Sequence, residues 1–408
     1  EVLRCWRTRG LGVGLVMALV TLSVTPAAAQ WLPEQPLTLA GGRVVVGAEA
    51  SATFAPEDPG FYNYTSYEFS ALRNFRLGVA AEVRANDRVQ VLGEVRVDQG
   101  RVVEMYGLYV RVRPWPARRF DLQAGRIPPT FGAMTRSAYG SGNLLIGQPL
   151  AYQYLTSIRP DALPASSDDL LRMRGRGWLS DFPTGNPEPA PGLPIVNTSR
   201  WDTGVQAHGV VRIFEWSGSV TTGSLSDPRW RDNNDGRQLA GRLAARPHAS
   251  LQLGVSASRG AWLNRSLDEA GAANAGSARQ VAFGADAEYS AGRVLVRGEV
   301  IRSTWHLPDL AAPAIGGSLT ATSALIEGRY KVAPGFYVAL RGDRIDFSSI
   351  LGSRLRDTWD ADTWRVEAGA GYSVTRNIML KGAWQRNRRD GGRVLHDDLV
   401  AAQVVYWF

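Results

Sequence analysis

The sequence predicts an all-β protein, a transmembrane antiparallel β-barrel of about 16 strands. Three observations carry this prediction. Residues 399–408 form a strand-like run in which apolar residues recur at every second position up to the terminal Phe408. Similar runs follow one another along the chain, and the connections between them alternate between short and long. Most runs have one apolar row and one charged row, and a closed barrel would leave no exposed apolar edge strand.

The first residues have the pattern of a secretory signal, which we exclude from the fold. A basic region with Arg4, Arg7 and Arg9 precedes an apolar run at residues 11–24, and cleavage is expected after Ala29. A retained membrane anchor is the alternative, but the apolar run is well short of the ~20 residues that span a bilayer. The predicted divisions are a signal (1–29), a periplasmic lead-in (30–41) and the barrel (42–408).

Composition limits the chemistry of the mature chain. The only cysteine is Cys5, which lies in the signal, so we expect no disulfide and no cysteine-based metal site. The net charge of +8 is a modest excess that does not require a nucleic-acid partner. The four histidines lack metal-ligand spacing and any catalytic signature, and we predict no catalytic residue, no metal and no cofactor. An enzyme or adhesin built on a barrel with a sealed lumen is the alternative.

The connections between the predicted strands fall into two length classes. Short turns at residues 85–87, 247–249, 290–292, 333–335 and 375–377 alternate with longer loops. An even number of strands places both termini at one rim, and with Phe408 at the periplasmic rim the short turns are periplasmic. A propeller would repeat at ~40 residues, and a sandwich would not sort its turns by length. A secreted soluble β protein remains a further alternative.

The charged rows predict a wet interior. An Arg or Lys facing the lipid midplane costs about 2–4 kcal/mol, so these rows must face inward. Barrels of about 16–18 strands leave an aqueous lumen, which predicts a channel for small hydrophilic solutes or ions, with a slight anion preference from the excess of Arg. Alternatively, the charges pair across strands and stiffen the wall. The candidate pore-lining residues are Arg76, Glu82, Arg96, Tyr109, Arg111, Arg242, Arg297, Glu299, Glu327, Arg329, Arg341, Asp343, Arg365, Glu367 and Lys381.

The connection at residues 127–200, between the fifth and sixth predicted strands, is too long for a plain loop. It contains a helix-like piece at residues 167–174, with acids in the first turn and arginine at the end. We interpret it as a long loop folded into the barrel, with charged residues at the narrowest point. The alternative is that these residues pin the loop to the wall or make contacts between subunits. The candidates are Arg136, Arg159, Asp161, Asp168, Asp169, Arg172 and Arg174.

Two features resemble known barrels. The terminal strand with Tyr406 and Phe408 resembles the closing strand of bacterial outer-membrane barrels, which implies outer-membrane lipid around the chain and recognition of this strand by the barrel-assembly machinery. The long fifth-to-sixth connection is similar in position to the third external loop of general sixteen-stranded porins, which implies a constriction loop and a homotrimer. The run at residues 126–132 resembles a Pro-Phe-Gly stretch of phosphate-selective porins, but the lysine clusters expected for phosphate are missing.

Overall fold

The structure is a computed structural model that describes residues 32–64, 70–100, 102–115, 120–234, 236–272, 275–308 and 317–408, without the side chains of residues 102 and 136. The predicted signal therefore lies outside the described residues. Residues Glu34–Phe408 form one compact unit. Within the predicted lead-in, a short strand at Leu37–Leu39 pairs with Val44–Val46.

Sixteen long strands in the described part of the chain form one antiparallel sheet. The strands are β1 (Val44–Phe54), β2 (Phe75–Arg84), β3 (Val89–Asp98), β4 (Val102–Val112), β5 (Asp121–Ile127), β6 (Asp202–Val211), β7 (Phe214–Thr221), β8 (Gln238–His248), β9 (Leu251–Ala261), β10 (Arg279–Ala291), β11 (Val294–His306), β12 (Ser318–Ala333), β13 (Phe336–Phe347), β14 (Thr363–Ser373), β15 (Ile378–Arg389) and β16 (His396–Trp407). Strand β16 pairs with β1, from Glu49 opposite Trp407 to Phe54 opposite Ala402. This pairing closes the barrel and confirms the predicted fold.

From β6 onwards the connections alternate in length, whereas the connection between β3 and β4 (99–101) is shorter than the one between β4 and β5 (113–120). Two-residue turns at 212–213, 249–250, 292–293 and 334–335 lie at one end, and residues 128–201 connect β5 to β6 at the other. At the short-turn end, two backbone hydrogen bonds join Phe408 to the first strand. The N–H of Phe408 donates to the carbonyl of Ala48 at 3.0 Å, and the N–H of Ala48 donates to the carbonyl of Phe408 at 3.1 Å. The C-terminal residue thus locks the last strand onto the first.

The two faces of each strand have opposite character. On the outer face large apolar side chains are exposed, for example Leu340 at 56%. On the inner face the neighbouring Arg341 is only 1% exposed. This follows from the two-residue period of a strand, because successive side chains point to opposite faces. The inner charges are shielded from solvent because residues 128–201 pack against them.

The remaining elements are short and belong to the connections. Helices α1 (Leu150–Gln153) and α2 (Ser167–Arg172) lie between β5 and β6, and α3 (Ser266–Glu269) lies between β9 and β10. Single 3-10 turns span Ala40–Gly42, Thr135–Ala138, Gly177–Leu179 and Ala275–Ser277, and two small hairpins pair Ala162–Leu163 with Thr184–Gly185 and Ser349–Leu351 with Arg356–Thr358. Helix α2 is shorter than the predicted piece, and the Ser166 side chain caps it by accepting the N–H of Asp169. No described helix has the length and apolar character needed to cross a bilayer.

A hydrophobic core fills the long-loop end of the barrel. The three largest side chains in it, Trp262, Trp305 and Trp359, come from connections or strand ends and are almost fully buried. Leu150 and Ile195 from residues 128–201 belong to the same cluster. Burial of each such side chain stabilises the fold by about 1.5–3 kcal/mol, so the long connection is a packed part of the structure.

We predict that the exposed apolar rows face lipid. The substitution Leu340→Arg places a charge on the outer face near the middle of β13, and we expect it to lower the free energy of unfolding in lipid vesicles by about 2–4 kcal/mol. Val374→Arg adds the same charge at a short turn, where the expected cost is about 0–1 kcal/mol. Urea titration of both variants measures the difference, and equal costs would contradict a bilayer centred on these rows.

Candidate functional site

The inner face of β11 to β15 carries a ladder of directly opposed polar residues. The register places Arg297 opposite Glu327, Glu327 opposite Arg341, and Arg341 opposite Glu367. Arg297 lies 2.7 Å from Glu327, and Arg341 lies 2.5 Å from Glu367 and 3.3 Å from Asp343. Opposite charges facing each other across strands stabilise a sheet, and burial makes each partner necessary to the other.

The carboxylates of this wall also accept hydrogen bonds from the backbone of residues 128–201. The Glu367 carboxylate accepts the N–H groups of Ile146 at 3.1 Å and Gly147 at 2.8 Å. Asp343 accepts the N–H of Leu150 at 3.2 Å. These strand-mounted acids therefore bind an irregular stretch of backbone whose N–H groups have no secondary structure to satisfy them.

Two further acids hold the same stretch nearer its start. Glu299 accepts the backbone N–H of Ala133 and the hydroxyl of Tyr152, both at 2.7 Å. Glu49 accepts the N–H of Gly140 at 2.7 Å from the opposite part of the wall. Residues 133–150 are thus fixed at several points around the barrel.

The basic residues of the wall bind the carbonyl groups of the same stretch. The Lys381 ammonium donates to the carbonyls of Gly140 at 2.5 Å, Asn143 at 2.6 Å and Leu145 at 3.2 Å. Arg341 donates to the carbonyl of Gly147 at 2.7 Å. The Lys381 ammonium has three carbonyl acceptors and is thus satisfied without water, which explains how Lys381 is only 5% exposed.

Arg365 completes the covered wall. It donates to the carbonyls of Gln148 at 3.0 Å and Tyr62 at 2.8 Å and to the side chain of Asn387 at 2.7 Å. Gly147 shows how closely the backbone approaches here, because a Cβ atom at this position would lie 2.5 Å from Gln385 and 2.7 Å from Glu367. A larger residue at this contact would displace the ends of these two side chains and disturb their hydrogen bonds.

The wall formed by β2 and β3 is less covered. Arg76 forms an ion pair with Asp98 at 2.7 Å and donates to the carbonyl of Ala138 at 2.9 Å. The Arg96 guanidinium lies over the Tyr106 ring at 3.4 Å and the Tyr139 ring at 4.8 Å. Each guanidinium is thus held between the wall and the long connection.

Two cavities meet at these arginines. One, of about 30 Å³, lies between Arg76, Arg96 and the residues of the long connection around Gln153. The other, of about 210 Å³, extends towards the short-turn end, where Phe408 and Ala80 line it. Arg76 and Arg96 line both cavities and therefore lie between them.

The other candidate pore residues contact each other or nearby wall residues. Arg111 lies 3.6 Å from Glu82 and donates to Gln90 at 2.9 Å, and the Tyr109 ring lies 6.2 Å from the Trp201 ring. In a further part of the wall Arg242 pairs with Asp286 at 2.6 Å, and the Arg329 guanidinium lies 5.9 Å from the Tyr337 ring. The predicted rows therefore divide into a wall covered by the long connection and a wall beside the cavities.

The charged residues predicted for the narrowest point contact other groups. Arg159 is fully buried, donates to both carboxylate oxygens of Asp161 at 2.9 and 3.0 Å, and also binds the carbonyl groups of Ser180 and Glu188. Burial raises the pKa of Asp161, but hydrogen bonds from Arg159 and Asn186 outweigh it and hold the pKa below its usual value. This pair therefore braces the connection internally.

The candidates in and after α2 bind neighbouring loops. Asp168 accepts the N–H of Ser353 at 2.8 Å, and Arg172 pairs with Asp169 at 2.8 Å. Arg174 pairs with Asp357 at 2.6 Å and with Asp390 at 2.9 Å. Arg136 lies in a 3-10 turn, and its side chain is outside the described part of the structure. These contacts tie the connection to the loops after β13 and β15.

A buried carboxylate strengthens the same attachment. Asp360, in the loop between β13 and β14, accepts the N–H groups of Ser157 and Gly175, both at 2.7 Å. Burial raises the pKa of Asp360, while these backbone donors favour the ionised form.

Sequence reasoning missed Asp360, Glu49 and Tyr139, because their partners are distant in sequence and several of those partners are backbone groups. In the described residues, no cluster of three or more His, Cys, Asp or Glu could hold a metal ion.

We predict that Glu367 fixes the long connection to the wall. Glu367→Gln removes the charge that binds Arg341 and two backbone N–H groups, and we expect a loss of about 3 kcal/mol in the free energy of unfolding, because a buried charge loses a partner. Faster hydrogen exchange at Ile146 and Gly147 is expected in the same variant. The control is Glu288→Gln. Glu288 lies on the inner row but forms no hydrogen bond to the connection among the described residues. Unchanged exchange in Glu367→Gln would contradict the assigned role.

No protein-family model and no curated protein matches the chain. Among solved structures, the barrel is similar to an anion-selective porin from Comamonas acidovorans (TM-score 0.54, 11% identity, covering 90% of this chain and 99% of that one). It is also similar to OmpF of Salmonella typhi, solved in complex with daunomycin (TM-score 0.52, 13% identity, covering 90% of this chain and 97% of that one). A third similar structure is the outer-membrane channel DcaP of Acinetobacter baumannii (TM-score 0.51, 10% identity, covering 92% of this chain and 100% of that one). These identities show the fold alone. The chain has the closed sixteen-stranded barrel fold of bacterial outer-membrane porins.

Proposed function

We propose that the protein is an outer-membrane channel for passive diffusion of small hydrophilic solutes or ions, with a mild preference for anions. The observation that carries this proposal is the pair of cavities that meet at Arg76 and Arg96 inside the barrel. Residues of the long connection line both cavities, so in this proposal the connection sets the width of a passage whose neck is formed by Arg76 and Arg96. A barrel of this strand number leaves room for both a folded loop and a lumen.

The mechanism is electrostatic and passive. Arg76 and Arg96 present guanidinium donors at the neck, and such donors replace part of the hydration shell of a permeating anion. Asp98 and Glu94 lie within 2.7 and 3.2 Å of them and offset much of their charge, so the expected preference for anions is mild. The ion pairs of β11 to β14 brace the covered wall and lie away from the neck.

The outer face supports the proposed membrane placement. Exposed apolar rows run around the barrel, and the Tyr289, Tyr330, Tyr372 and Tyr406 side chains lie towards the short-turn end, as in an interfacial aromatic girdle. We propose outer-membrane lipid around these rows, both termini in the periplasm, recognition of Tyr406 and Phe408 by the barrel-assembly machinery, and a homotrimer as implied by the resemblance to porins.

Planar-bilayer recording tests the channel and its neck together. The refolded barrel should produce stepwise conductance, and Arg76→Gln should lower the permeability ratio of anion to cation by a factor of about 2 or more in a salt gradient, because it removes a charge at the neck. Arg376→Gln, in an exposed short turn, is the control with the same change in net charge. A folded barrel without conductance would contradict the channel, and equal ratios for both variants would contradict the assigned neck.

A further inference from the structure

A third cavity lies at the long-loop end of the molecule, apart from the neck. Its volume is about 250 Å³, just below the range of about 300–1,000 Å³ that is typical of ligand pockets, which limits it to a small ligand. Three separate pieces of the chain form it: residues 59–61 from the loop after β1, residues 172–189 from the long connection, and residues 389–393, which begin at the last residue of β15. None of its lining residues belongs to the predicted pore rows.

One side of this cavity is aromatic. The rings of Phe61 and Trp178 are stacked with centroids 3.9 Å apart and an interplanar angle of 14°. The Tyr64 ring packs edge-on against Phe61 with centroids 4.7 Å apart. The pair of stacked rings is only partly buried, and both rings line the cavity. This gives the cavity a rigid, flat apolar surface.

The backbone is strained where it supplies this surface. Phe61 has φ = +55°, a left-handed conformation that costs a bulky residue on the order of 1–3 kcal/mol. The buried Asp58 carboxylate holds the turn by accepting the N–H groups of Tyr62 at 3.1 Å and Asn63 at 2.7 Å. Residues kept in such conformations by their surroundings concentrate at binding sites.

The other side of the cavity is strongly basic. It is lined by Arg172, Arg176, Arg389 and Arg393, with Asp181 as the one lining carboxylate. Arg172 forms an ion pair with Asp181 at 3.1 Å, and Arg389 donates to the carbonyl of Val394 at 2.8 Å. In the described part of the chain the guanidinium groups of Arg176 and Arg393 have no hydrogen-bond or ion-pair partner.

We propose that this cavity binds a small ring compound that carries a carboxylate or phosphate group. A flat ring fits the Phe61 and Trp178 surface, and two free guanidinium groups match the planar, bidentate geometry of an oxyanion. A dissolved aromatic acid combines such a ring with a carboxylate, and a dissolved sugar phosphate combines a phosphate with a puckered ring whose C–H face can pack on an aromatic surface. The proposal does not depend on conduction, since binding is measured on the folded barrel.

Calorimetric titration of the full mature barrel in detergent tests this site. The probes are benzoate and glucose 6-phosphate, which combine a ring and an anion, together with benzamide and acetate, which each lack one of them. We expect at least one ring anion to bind roughly tenfold or more tightly than both single-feature probes, a difference of about 1.4 kcal/mol. Benzoate binding alone identifies a free aromatic acid as the ligand class, and glucose 6-phosphate binding alone identifies a phosphorylated sugar.

Two variants separate the two halves of the site. Arg176→Gln combined with Arg393→Gln should weaken the bound ring anion roughly tenfold, whereas Arg293→Gln combined with Arg376→Gln changes the net charge equally at exposed short turns and should have no effect. Phe61→Gly relieves the positive φ while removing a ring, so it should lose binding and keep the folded barrel. Equal affinity for all four probes, or undiminished binding in the Arg176 and Arg393 variant, would overturn the proposal.

Discussion

Hydrogen bonds between buried wall carboxylates and the backbone of residues 133–150 hold the interior of this barrel together. An irregular chain inside a barrel has N–H and carbonyl groups that need partners, and buried wall charges need partners as well. Glu367, Glu299 and Asp343 bind the N–H groups, while Lys381 and Arg341 bind the carbonyls. Each set of groups supplies partners for the other, so a charged wall and an irregular connection are stable together.

This arrangement divides the interior into two unequal parts. The wall of β11 to β15 is covered, and its charges are used in ion pairs and in holding the connection. The wall of β2 and β3 borders the cavities, where Arg76 and Arg96 contact both the strands and the connection. We therefore assign the two interpretations of the charged rows to different parts of the wall: ion pairs that brace the covered side and the proposed ion selection at the neck.

The strands and their two faces could be predicted from sequence because lipid-facing and inward-facing residues alternate with a fixed period of two. The terminal Phe408 also indicated the closing strand. The path of the long connection could not be predicted, because it depends on backbone groups such as the N–H of Gly147, which have no side-chain signature. Charged residues such as Arg159 and Arg174 could be identified in the sequence, but the nearby acids and loops that they bind could not.

Cysteine accessibility tests the divided interior most directly, because the predicted mature chain contains no thiol. Ala80→Cys places a thiol in the cavity beside β2, and Ala383→Cys places one on the covered wall of β15 against Ile146. With a charged methanethiosulfonate reagent added during bilayer recording, the account predicts rapid modification and reduced current for Ala80→Cys and no modification for Ala383→Cys. Equal modification of both positions would contradict a connection fixed against one wall.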